Sequence, residues 1–75
     1  MSKTIDYKEF VDYRAKLNQA VEDIAKDKKS AASNRIRAVK KHLDDWEGLR
    51  AELNCESLGR LNHLQKMVRE IEAEK

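Results

Sequence analysis

Between positions 26 and 42 the chain reads KDKKSAASNRIRAVKKH, seven cations against one anion. The chemistry such a stretch offers is anion binding. Lys26, Lys28, Lys29, Arg35, Arg37, Lys40 and Lys41 are the candidate contacts. Phosphates recur along a nucleic acid, so a cluster of Lys and Arg side chains releases several counterions together. Their placement has a cost, because most of them crowd the start of a helix, where the positive end of the helix dipole already lies. The same helix start offers free N–H groups that suit an anion. No helix carries the grouping of Asn, Gln and Arg that reads base edges, so the expected binding is to phosphates and independent of sequence.

Other reactive residues are few. His42 and His63 are the only histidines, and neither has a second Cys or His at metal-ligand spacing. There is no HExxH, CxxC, glycine-rich phosphate loop or nucleophile elbow. The expectation is therefore a non-enzymatic protein with no catalytic residues, no cofactor and no metal site. Cys55 is the single cysteine, which rules out an intrachain disulfide and fits a reducing, cytoplasmic setting. Tyr7, Tyr13 and Trp46 have the ring faces on which bases stack. Tyr13 and Trp46 fall in apolar stripes and read as core, whereas Tyr7 lies off the stripe with no assigned role.

The net charge of +2 conceals an uneven distribution. Residues 1–25 carry four cations and five anions, and residues 26–42 seven and one. Residues 43–56 then carry one cation and five anions. A helix that is positive and then negative matches a second, antiparallel copy of itself, which predicts a homo-oligomer. Lys40 and Lys41 also precede Asp44 and Asp45 by four residues, the spacing of helix-surface pairs. Two function classes follow. The first is a small nucleic-acid-binding accessory protein. The second is a helical protein-interaction module acting through charged helix faces, such as a phage-encoded adaptor or inhibitor of a host protein, with Met67 as an apolar contact.

Residues 29–53, KSAASNRIRAVKKHLDDWEGLRAEL, resemble the short histone H1-like proteins of some bacteria and phages. The resemblance is carried by Lys29, Ala31, Ala32, Arg35, Arg37, Ala38 and Leu43, followed by a Leu- and Glu/Lys-rich amphipathic helix. It implies sequence-independent DNA binding, with Lys29, Arg35 and Arg37 as basic contacts. The chain departs from the pattern at Asp44, Asp45 and Glu47, which would repel a DNA backbone laid along the whole helix.

The elements that must position these residues are helices. Two glycines, no proline and 40% charged residues, with abundant Ala, Leu, Glu, Lys and Arg, point to an all-α chain. Asp6 and Glu9 have capping-box spacing, and Ile5 and Phe10 that of a hydrophobic staple. The stripe Phe10, Tyr13, Leu17, Ala20, Val21, Ile24 predicts a first helix over about 6–26, its opposite face of Asp12, Lys16, Gln19 and Asp23 in water. Ser30 or Ser33 caps a second helix over about 33–53, with Ile36, Val39, Leu43, Trp46, Leu49 and Leu53 inward. Gly48 inside it suggests close approach of a neighbour or a kink. Asn54 ends that helix in a left-handed conformation, and Ser57 caps a third over about 57–73, with Leu58, Leu61, Leu64, Val68 and Ile71 inward.

Short connections make consecutive helices antiparallel. The predicted fold is a single all-α domain, a three-helix up-down-up bundle or an oligomer of helical hairpins. No apolar run approaches the ~18 residues that cross a membrane, and the N-terminus lacks a signal-peptide core.

Overall fold

The computed structural model describes residues 4–74. Three helices, α1 (Tyr7–Ala25), α2 (Lys29–Glu47) and α3 (Cys55–Glu74), form an up-down-up bundle. A single 3₁₀ turn, Arg50–Glu52, lies in the second connection. The core is one contiguous cluster centred on Leu17, Ile36, Val39, Leu43, Leu61 and Leu64. Among the described residues no helix is long and apolar enough to cross a membrane.

The first connection is shorter than the serines suggest. α1 stops because Asp27 adopts φ 61°. The Lys28 N–H then donates to the Asp23 carbonyl (2.7 Å) and the Asp27 N–H to that of Ile24 (3.0 Å). These two bonds are the Schellman pair, with Asp in the left-handed position that usually goes to Gly or Asn. α2 begins directly afterwards at Lys29, so Ser30 and Ser33 lie within its first turns and neither caps it. The basic turn and the helix start are thus one continuous corner.

The second connection also differs from expectation. α2 ends at Glu47, with Gly48 as its C-cap in right-handed conformation. A Cβ on Gly48 would meet only the Asp45 and Asp44 carbonyls, at 3.4 and 3.8 Å, so no neighbouring helix demands a glycine there. Leu53 leaves the helical path in extended conformation and is still buried. Asn54 does not end α2. Its side chain accepts the Ser57 N–H (2.8 Å), and its carbonyl accepts the Leu58 N–H (2.9 Å), so Asn54 is the N-cap of α3.

Ser57 is freed for another task. Fully buried, its hydroxyl accepts the Ile5 N–H at 2.8 Å. The Ile5 carbonyl in turn accepts from the Arg60 guanidinium at 2.6 Å. The segment before α1 is thereby strapped across the start of α3, with the Ile5 side chain wholly inside the core. Phe10 packs partly buried on the same core, as a staple requires. Asp6 serves α1 through its carbonyl, which accepts the Phe10 N–H, and not through its side chain.

Candidate nucleic-acid interface

Register decides what the basic block can reach. Lys40 pairs with Glu72 (3.0 Å), and Gln65 donates to Glu47 (3.1 Å), which fixes α2 against α3. By that register Glu74 comes level with Ala38. Residues 29–37 of α2, with the end of α1, therefore run past the last described turn of α3. The longest dimension, 43 Å, exceeds the ~30 Å of a twenty-residue helix accordingly. The basic corner occupies this projecting end.

All seven candidate cations are exposed, yet α2 divides them. Arg35 turns toward α1, where its Nε donates to the Asp23 carboxylate at 2.8 Å. The Asp23 side chain is only 7% exposed, against 44% for Arg35, so the pair is a clamp between the two helices. Asp23, expected in water, is thus buried. Lys40 is held by Glu72 of α3, a pairing its four-residue distance from Asp44 does not suggest. Among the described residues Lys26, Lys28, Lys29, Arg37 and Lys41 take part in no ion pair.

Arg37, Lys40 and Lys41 come together on the flank of α2 away from Arg35. With Ser33, Ile36, Asp44 and Glu72 they line an open groove of about 570 Å³. A second groove of about 370 Å³ continues along the α2–α3 seam past Leu43, Glu47, Gln65 and Val68. There the signs are mixed. Glu47 accepts from Arg50 (2.8 Å) and from Gln65, and these hydrogen bonds hold its carboxyl below the usual range. Residues 44–47 accordingly form an acidic half, while Lys29 lies ~22 Å from Asp44 along the helix.

The aromatic residues are used mainly inside. Trp46 meets Tyr13 edge-on at 5.3 Å, and His42 also packs against Tyr13, tilted, at 5.3 Å. Partial burial, with Glu9 and Asp12 nearby, pushes the Tyr13 phenol up from its ordinary value. His63 packs against Phe10 at 5.7 Å. Among the described residues no three His, Cys, Asp or Glu side chains are placed to hold a metal ion. Cys55 is exposed at the first turn of α3. No protein-family model, curated protein or solved structure matches this chain.

Proposed function

We propose that the protein is a non-enzymatic accessory factor that binds nucleic acid through phosphate contacts, made by the projecting α1–α2 corner and the adjoining flank of α2. One observation carries this reading. Lys26, Lys28, Lys29, Arg37 and Lys41 are exposed and outside every ion pair among the described residues: the three lysines gather at the corner around Asp27, and Arg37 and Lys41 continue along α2 as far as Asp44, which lines the same groove. A folded protein gains nothing in its own stability from cations packed at a helix start. A polyanion gives that arrangement a use. Contacts of this kind position without reading bases, so duplexes of different sequence bind alike.

The test is fluorescence anisotropy with a labelled duplex of ~30 base pairs across a salt series. Five neutralised phosphates give log K against log salt a slope of about −4 to −5. Arg37→Gln and Lys41→Gln each weaken binding to every sequence equally and flatten the slope by ~1. Absence of binding at low salt, or a loss confined to one sequence, overturns the proposal. The mixed-sign groove of Arg37, Lys40, Lys41, Asp44 and Glu72 over Ile36 supports a second reading, a helical protein-interaction module. An acidic helix bound there with the duplex ignored would favour it.

A further inference from the structure

The spacing of the cations along α2 carries as much information as their number. Lys26, Lys28 and Lys29 surround the corner, as the C-cap of α1, the N-cap of α2 and its first residue. Arg37 and Lys41 form a second set further along the helix. Between the two sets α2 presents a low surface. Apart from Arg35, which turns to Asp23, the side chains there that reach solvent are Ser30, Ala31, Ser33 and Asn34, all short and uncharged. Ser30, Asn34, Arg37 and Lys41 follow one another at four, three and four residues and so share a face, opposite the buried Ala32, Ile36, Val39 and Leu43. Acids bound this surface: Asp27 lies within the corner, Asp44 follows Lys41 by three residues, and Glu22 precedes Lys26 by four.

From Lys29 the helix rises ~12 Å to Arg37 and ~18 Å to Lys41. The major groove of B-form DNA is ~12 Å wide. Resting on the phosphate contacts proposed above, we infer that the preferred ligand is double-stranded DNA, with α2 bridging its major groove. The corner lysines hold the backbone on one rim, and Arg37 and Lys41 hold the backbone on the other. The short side chains between them stay above the groove floor and read no base, so the contact is independent of sequence.

Two other nucleic acids fit this surface less well. A single strand has no second backbone at a fixed distance, and proteins that hold one stack its bases on aromatic rings. Among the described residues the exposed aromatic ring lies far from the corner: Tyr7, 64% exposed, opens α1 and is ~27 Å along the helix from Ala25. Trp46 is ~25 Å along α2 from Lys29 and is packed on Tyr13. Double-stranded RNA has a major groove too narrow for this span and a shallow minor groove whose floor would meet α2.

Fluorescence anisotropy on the full chain tests the inference, with one ~30-base sequence offered as DNA duplex, DNA single strand and RNA duplex at the same salt. Duplex DNA, touched on both rims, is expected to bind at least about tenfold more tightly than either alternative. A second measurement moves a charge without changing the total. Asn34→Arg combined with Arg37→Gln brings the cation one turn back on the same exposed face, to ~7.5 Å from Lys29. The double variant is expected to bind duplex DNA no better than Arg37→Gln alone, with helical circular dichroism unchanged. Recovery of wild-type affinity overturns the bridge, because a cation patch without fixed spacing is indifferent to the move. Equal affinity for the single strand, or tighter binding of the RNA duplex, overturns it too and leaves the phosphate contacts standing. Absence of binding to all three at low salt removes both.

Discussion

Arg35 shows how one contact can move a side chain from ligand binding to the upkeep of the fold. Its partner Asp23 is a carboxylate almost shut off from water, and Arg35 supplies the hydrogen bond that makes this tolerable. Arg35→Gln should lower unfolding free energy by about 1–2 kcal/mol, discounted for the exposed guanidinium, as measured by urea denaturation. The same variant should leave the salt slope of nucleic-acid binding nearly unchanged, unlike Lys41→Gln. Glu47 gives a second, pH-dependent case. Its folded value is depressed by the bonds from Arg50 and Gln65, so its contribution is present above the ordinary Glu value of about 4.3 and disappears as pH falls through the lower folded value. Acid unfolding curves of wild type and Glu47→Gln should therefore differ near neutrality and converge as pH drops below that range.

The helices themselves are largely legible in the sequence. The apolar periodicity of Leu17, Ile36, Val39, Leu61, Leu64 and Val68 carries an amphipathic pattern strong enough to give three helices and their inward faces. Their ends are not. Ser30 and Ser33 look like caps, but the Schellman turn at Asp27 satisfies the end of α1 so tightly that α2 starts before either serine is reached. Asn54 and Ser57 exchange roles for a similar reason: both can cap, and only the buried N–H of Ile5, 52 residues from Ser57, decides which one does. Asp23 reads as a water-facing residue because its burial depends on a cation twelve positions away. Asn54→Ala should cost about 1 kcal/mol in thermal or chemical unfolding, the usual loss of an N-cap. A Cβ added at Gly59 would meet nothing within 4 Å, and the backbone around it is helical, so Gly59→Ala should stabilise by about 0.5–1 kcal/mol.

At the level of the assembled bundle, the seven cations that form one block along the sequence become two groups, Arg35 and Lys40 in ion pairs and the other five outside every ion pair among the described residues. Helix rotation alone separates Arg35 from Arg37, and the packing of α3 against α2 takes Lys40. The identity of the basic residues is visible in the sequence, whereas their division depends on which neighbour lies on each side of α2. In the same register the basic corner lies beyond the last described turn of α3. Polarity then runs along the molecule, with free cations at one end and the Glu47, Arg50 and Gln65 network toward the other.

The strap from Ile5 to Ser57 and Arg60 has a consequence for the order of events in folding. The α1–α2 turn closes within a few residues, but the strap joins positions 52 and 55 apart, so the chain must close a loop of most of its length to make it. Local contacts form early, and the strap belongs on the native side of the barrier. Ser57→Ala removes the acceptor and leaves the Ile5 N–H buried without a partner, a loss of about 1–3 kcal/mol. In stopped-flow experiments nearly all of that loss should appear as faster unfolding, with the refolding rate hardly altered. The strap then acts as a latch, setting how long the native state lasts and not how quickly it is found.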